Sequence, residues 1–190
     1  MSVRQIRSSR GFTLVELMVV VALVGVLSTL AIYAVKGYLT HAKTAEAKNA
    51  IGQMAKDAET AYWRESMKGT ILGAGSSAII SNKFCDFSSD FVPHSIAQVR
   101  GKKYQSTPNN WNFDGVLDHA GFYCLKFTVS DPQYYQYYYN NESGAFDFTA
   151  IALGDLDGDD VTSVYSIEGF AAVDGTVRVA PAFKMINPEE

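Results

Sequence analysis

The feature that most constrains this chain is an apolar segment close to its N-terminus. Residues 12–35 contain a single charged side chain, Glu16. A helix of this length spans roughly 36 Å, which is enough to cross a bilayer. The segment follows a leader that ends in Gly11 and holds three arginines, Arg4, Arg7 and Arg10. Because basic residues favour the cytoplasmic side, the sequence predicts a single membrane-spanning helix followed by residues outside the cytoplasm.

Glu16 is the unusual residue within this segment. A carboxylate at the centre of a membrane span costs about 2.5 to 3.5 kcal/mol on insertion scales, so a compensating positive charge is expected. A cleaved secretory signal would have a shorter apolar core, and its small-residue cleavage site would follow that core instead of preceding it. A plain, uncleaved signal anchor also fits the length of the segment and stays open as an alternative.

The residues around Gly11 carry a more specific signal. The stretch GFTLVE (residues 11–16) resembles the class III signal of type IV prepilins and of the related type II secretion pseudopilins. The resemblance implies that a prepilin peptidase cuts between Gly11 and Phe12 and methylates the new amine of Phe12. It also implies that Glu16 attracts the terminal amine of a neighbouring subunit during assembly. The alternative role is local, because the helix macrodipole favours an anion in the first helical turn.

Beyond the apolar segment, small and apolar residues recur at spacings of three and four, which is the pattern of an amphipathic helix. These positions are Ala47, Ile51, Met54, Ala55, Ala58 and Tyr62. No proline interrupts residues 36–66, so we expect one helix from residue 12 to about residue 67, ending near the Gly/Ser-rich stretch 69–77. The predicted organisation is a leader peptide (1–11), a transmembrane and polymerisation helix (12–35), an amphipathic helix packed on the head (36–68) and a globular β-rich head (69–190).

The second half of the head is predicted to be an antiparallel sheet. Strand-like runs cover residues 122–129, 145–153, 161–168 and 176–183, and turn-forming pairs lie between them, such as Asn140-Asn141 and Asp174-Gly175. A dense aromatic group consists of Tyr134, Tyr135, Tyr137, Tyr138 and Tyr139. We favour a strand with alternate rings in the core over an exposed aromatic patch. The predicted fold class is α+β, a long N-terminal helix packed on an antiparallel sheet, which is also the pilin architecture that the resemblance implies.

Two cysteines, Cys85 and Cys124, are the only ones in the chain. Outside the cytoplasm such a pair most simply forms one disulfide. On the loop-entropy model, closing a loop of about 40 residues stabilises a domain by roughly 4 kcal/mol. The histidines show no metal-ligand spacing with either cysteine, which leaves little support for a metal or nucleophilic role.

An acidic turn is the one candidate metal site. Residues 154–161 (GDLDGDDV) set Asp155, Asp157 and Asp159 at alternate positions, as oxygen-donor calcium loops do. The pattern is incomplete as an EF-hand, because Asp160 stands at the place of the sharp-turn glycine and Ser166 at the place of the bidentate glutamate. The alternative is an acidic hairpin turn. No cofactor is required by this sequence, and calcium is the one cofactor that it suggests.

The remaining patterns argue for a structural protein. We find no nucleophile elbow, phosphate loop or His-Glu metal motif, so we expect no enzyme. Loss of the leader arginines changes the net charge from −4 to −7, which speaks against direct nucleic-acid binding. We predict a type IV pilus subunit for adhesion or motility, anchored in the inner membrane with a periplasmic head and then assembled into an extracellular fibre. Its expected partners are identical or related pilin subunits, prepilin peptidase, the inner-membrane assembly machinery and membrane lipid. The alternatives are a type II secretion pseudopilin and, from another class, a membrane-anchored calcium or ligand sensor.

Overall fold

The computed structural model describes residues 11–64, 82–116, 119–141 and 146–188. The chain divides into two compact units, one ending at Leu39 and the other beginning at Thr40. The α-helices are α1 (Leu14–Trp63), α2 (Pro108–Trp111) and α3 (Gly121–Leu125), and short 3-10 helices cover Ile96–Gln98 and Phe113–Val116. The β-strands are β1 (Gln136–Asn140), β2 (Asp147–Gly154), β3 (Ser163–Ala171), β4 (Val177–Val179) and β5 (Lys184–Ile186).

Helix α1 is the long helix that the sequence predicts, with slightly shorter bounds. It begins at Leu14, and its last residue is Trp63, four residues before the predicted end. A bond from Arg64 N to the Ala61 carbonyl (3.1 Å) closes its last turn. The Gly/Ser-rich stretch 69–77 lies outside the described residues.

The second half of α1 buries one stripe of side chains, and all six positions of the predicted apolar stripe lie in it. The buried residues are Thr44, Ala47, Ile51, Met54, Ala55, Ala58, Ala61 and Tyr62. Four of these eight are alanines, whose short side chains let large rings pack close to the helix. Tyr62, for example, packs its ring 4.8 Å from that of Phe84, which in turn lies 5.0 Å from that of Phe148 in β2.

The sheet is antiparallel throughout. Its strand order is β1-β2-β3-β4, and β5 also pairs with β3. The predicted strands 145–153 and 161–168 correspond to β2 and β3, and the predicted turn at Asp174-Gly175 connects β3 to β4. The predicted strand 176–183 is too long: β4 ends at Val179, and β5 begins only at Lys184. The reason is that β3 carries both short strands along its length, β4 opposite residues 169–171 and β5 opposite residues 164–166.

The prediction of a strand over residues 122–129 is wrong. These residues begin with α3, whose Phe122 and Leu125 are both buried. That spacing of three places both side chains on one helical face, and the Phe122 ring packs against the ring of Trp111. Lys126 ends the helix in a left-handed conformation (φ 63°), and its N–H closes the last turn. An apolar run of this length fits a buried strand and a short buried helix equally well, so its composition alone could not decide.

The tyrosine-rich segment ends in β1, which holds three of the five tyrosines, and its burial alternates as predicted. Tyr135, Tyr137 and Tyr139 are fully buried, whereas Tyr134 and Tyr138 are half-buried. The ring of Tyr135 lies over the backbone of Gly154, the last residue of β2. A methyl group at position 154 would overlap the ring. Three of the five rings are therefore part of the core.

A half-buried carboxylate on α1 fixes the helix to β1 and the residues before it. Glu46 Oε1 accepts hydrogen bonds from Tyr134 N (2.8 Å) and from the Tyr137 hydroxyl (3.1 Å). Burial raises the pKa of Glu46, although both hydrogen bonds and the nearby Lys103 charge act in the opposite direction. The ammonium groups of Lys43 and Lys103 lie 4.9 and 4.8 Å from the centre of the Tyr134 ring. The carboxylate is thus partly shielded from water, and two donors and the Lys103 charge face it.

Candidate functional site

The N-terminal end of α1 holds the residues of the class III signal. Gly11 and Phe12 precede the helix, and the Phe12 side chain is 85 % exposed. Glu16 Oε2 accepts bonds from the backbone N–H and the hydroxyl of Thr13, each at 2.8 Å, and Glu16 N donates to the Thr13 hydroxyl at 3.3 Å. This reciprocal arrangement is a capping box, which satisfies N–H groups that the first helical turn leaves unpaired.

The first half of α1 exposes apolar side chains on all sides. Every residue from Gly11 to Leu39 is exposed, including the large aliphatic side chains of the span. By length and composition this helix is apolar enough to cross a membrane. A helix that is apolar all round and not covered by its own domain requires lipid or other helices around it.

The comparison with known families concerns this same region. A protein-family model described as the prokaryotic N-terminal methylation motif matches residues 6–32. No significant match was found among curated proteins or among solved structures. The motif is characteristic of type IV pilins and pseudopilins, so the resemblance inferred from the sequence is confirmed.

This motif and the α+β fold support the type IV pilin and pseudopilin class for the chain. The motif implies processing by a prepilin peptidase, a membrane-anchored chain and assembly into pilin polymers. The class consists of structural subunits. It leaves open which kind of fibre the subunit builds.

The two cysteines are joined within the head. Cys85 and Cys124 form a disulfide with a Cα–Cα distance of 5.8 Å, so that a loop of 39 residues is closed. Cys85 is fully buried, and Cys124 in α3 is half-buried. Asn141 Nδ2 donates to the Cys85 carbonyl at 2.9 Å, which connects the disulfide to the end of β1.

The acidic turn between β2 and β3 gathers the three predicted carboxylates. One oxygen from each of Asp155, Asp157 and Asp159 lies within 4.8 Å of the others. Asp155 is only 1 % exposed, and its two oxygens accept bonds from the backbone of Gly158 (2.7 Å) and Asp160 (3.2 Å).

A guanidinium already compensates this acidic turn. Arg100 Nε lies 3.3 Å from Asp155 Oδ2, and the same guanidinium pairs with Asp160. A calcium ion needs carboxylate oxygens as ligands, so it would have to share Asp155 with Arg100 or displace the guanidinium. Calcium binding at Asp155, Asp157 and Asp159 therefore stays a prediction, and Arg100 is the group with which the ion would compete.

Sequence reasoning missed two residues that shape these sites. Thr13 stands three residues before Glu16, which is the spacing of a capping box, so its role could have been inferred from the sequence. Arg100 is 55 residues from Asp155, and no local pattern connects the two.

Proposed function

We propose that this chain is a structural subunit of a type IV pilus, cut between Gly11 and Phe12, methylated at Phe12 and polymerised through the first half of α1. The observation that carries the proposal is the exposed apolar helix joined to the methylation motif. Within a fibre, the equivalent helices of other subunits would cover the surface that lipid covers before assembly. The head would then face outward and serve adhesion or motility.

Glu16 has two separable roles in this proposal. One carboxylate oxygen, Oε2, holds the capping box with Thr13. The charge of the group would attract the methylated amine of Phe12 on a neighbouring subunit, since opposite charges attract far more strongly in an apolar medium than in water. A glutamine at this position can still close the capping box, because Gln and Glu both occur there, but it carries no charge.

The pair of variants Glu16→Gln and Glu16→Ala tests this assignment. We expect both to remove the protein from the sheared cell-surface fraction, while N-terminal mass analysis of the membrane fraction still finds methylated Phe12. Glu59→Gln, an exposed position in the second half of α1, is the matched control and should assemble normally. Normal fibres from Glu16→Gln would contradict a role for the charge and leave only the local capping role.

The same mass analysis separates the alternatives. Processed protein in a surface fibre supports a pilus subunit. Processed protein that stays with the membrane supports a type II secretion pseudopilin instead. A chain that retains Met1 would refute the processing step and favour a membrane-anchored sensor.

A further inference from the structure

One cleft on the head differs in charge from the rest of the chain. It has a volume of about 480 Å³ and lies where the end of α1 meets α3. Its lining includes the cations Arg64 and Lys126 and the imidazole of His119, and none of the described lining residues is acidic. The whole chain has a net charge of −4. A positive cleft on an acidic protein is a local feature that attracts anions.

The walls of the cleft are fixed by covalent and polar contacts. Arg64 Nη2 donates to the Cys124 carbonyl at 2.9 Å, and Cys124 is held by the disulfide to Cys85. The His119 ring nitrogen Nδ1 lies 3.9 Å from Cys124 Sγ. Arg64 follows the end of α1, Cys124 belongs to α3, and His119 lies just before α3. Because these contacts hold the three groups in place, the cleft is preformed.

Backbone conformation points to the same place. Four non-glycine residues in the described part of the chain have a positive φ, and two of them, His119 and Lys126, line this cleft, both with φ 63°. Lys126 is the cap residue of α3, where this conformation is common, and His119 lies in the turn before α3, where its carbonyl accepts a hydrogen bond from Asp86 N at 2.8 Å. Residues held in this region of φ concentrate at ligand sites, where the surrounding structure compensates their cost.

The cations have donor capacity that the described protein groups do not use. Arg64 makes one side-chain hydrogen bond, and its buried Nε–H has no acceptor among the described residues. Asp57 acts on Arg64 through its charge but forms no ion pair with it. The Lys126 side chain is exposed and forms no ion pair within the described chain. A buried donor without an acceptor is costly, so Arg64 is a group for which an anionic acceptor would be favourable.

We propose that this cleft binds a carboxylate-bearing sugar of the hexuronate type. The guanidinium of Arg64 has the planar shape that binds a carboxylate through two parallel hydrogen bonds, and Lys126 adds a second positive charge. The Tyr123 ring, 51 % exposed, offers a flat surface for the apolar face of a pyranose. The side chains of Asn112 and Thr128 supply donors and acceptors for sugar hydroxyls. Inorganic phosphate could accept hydrogen bonds from Asn112 and Thr128, but it would make no use of the Tyr123 ring.

The test is a titration of the processed full-length protein in detergent micelles with D-glucuronate, followed by amide chemical shifts. D-glucose and inorganic phosphate are the two comparison probes. We expect glucuronate to saturate with a dissociation constant of about 1 mM and to shift the amides of α3. We expect glucose to bind at least about tenfold more weakly, because it lacks the charge-assisted hydrogen bonds. Phosphate that binds as tightly as glucuronate would overturn the sugar assignment and leave only an anion site.

Two exposed lysines provide matched variants. Lys126→Gln removes a charge from the lining of the cleft and should weaken glucuronate binding about tenfold. Lys56→Gln removes the same charge from α1 outside the lining and should leave the affinity unchanged. Tyr123→Leu keeps an apolar side chain but removes the flat ring, and it should weaken glucuronate without changing phosphate. Equal effects of the two lysine variants, or no effect of Lys126→Gln, would overturn the proposal whether or not the protein forms fibres.

Discussion

The carboxylate of Glu46 allows the sharpest test of how the helix is held on the sheet. Glu46→Ala removes the acceptor for two donors, the Tyr134 N–H and the Tyr137 hydroxyl, and Tyr137 is fully buried. Leaving a buried donor unpaired costs about 1 to 3 kcal/mol. Because Tyr134 is only half-buried and can bind water, we expect a total loss of about 2 to 4 kcal/mol in the free energy of unfolding.

Glu46→Gln is the matched control, since its amide oxygen accepts the same two hydrogen bonds without a half-buried charge. We expect its free energy of unfolding to lie within about 1 kcal/mol of the unmodified protein. Urea unfolding of the processed protein in micelles measures both variants. Tryptophan fluorescence reports the transition, because Trp111 in the head is 1 % exposed and Trp63 is already 54 % exposed.

The pH dependence of the free energy of unfolding tests the role of Glu46 in a second, independent way. Burial raises the pKa of Glu46 above its ordinary value of 4.5, so the folded head binds this proton more tightly than the unfolded chain does. The resulting stabilisation is fully present below pH 4.5 and is lost as the pH rises through the folded pKa. Asp57 and Asp114 also have raised pKa values and contribute in the same direction. The contribution of Glu46 to the slope of unfolding free energy against pH is therefore the slope of the unmodified protein minus that of Glu46→Gln.

Two outcomes would refute this account of Glu46. Equal destabilisation by Gln and Ala would mean that an uncharged acceptor oxygen at this position does not replace the carboxylate. An unchanged pH slope in Glu46→Gln would mean that Glu46 titrates alike in the folded and unfolded chains.

Three further predictions concern the rest of the head. Gly121→Ala should cost at least about 2 kcal/mol in urea unfolding, since φ is +53° at Gly121 and an added methyl group would overlap the Asp114 carboxylate. Reduction of the disulfide, or replacement of both cysteines by alanine, should lower stability by about 4 kcal/mol on the loop-entropy model, and an unchanged urea midpoint would contradict this. Calcium should raise the unfolding temperature of Arg100→Gln more than that of the unmodified protein, because Arg100 occupies the position of a competing cation; an equal rise in both would contradict that competition.

Local patterns predict the parts of this fold whose determinants are local. The buried stripe of α1 follows from spacings of three and four, and β2 and β3 follow from short runs bounded by turns. The strand predicted over residues 122–129 failed because its identity depends on distant partners. Its first residues pack against Trp111 and are tied to Cys85, and both partners come from other parts of the sequence.

The same distinction applies to the sites. Gly11, Phe12 and Glu16 lie within six residues, so a sequence pattern contains the whole processing signal. The cationic cleft brings together Arg64 and Lys126, which are 62 residues apart, and no spacing in the sequence indicates their proximity. Charge compensation of Asp155 by Arg100 is hidden for the same reason.

The burial pattern of α1 indicates that different residues serve fibre assembly and the stability of the head. No residue from Gly11 to Leu39 is buried, whereas the core of the head draws on α1 only from Thr44 onward. Substitutions at Thr13 or Glu16 therefore remove no contact on which the head depends, and their effects should add to those of Glu46 variants without coupling. A double variant, Glu16→Gln with Glu46→Gln, should lose fibre assembly as completely as Glu16→Gln alone and unfold at the urea midpoint of Glu46→Gln alone. A shift of that midpoint caused by Glu16→Gln would show that the two halves of the helix are energetically coupled, and a stability effect would then account for part of any assembly defect.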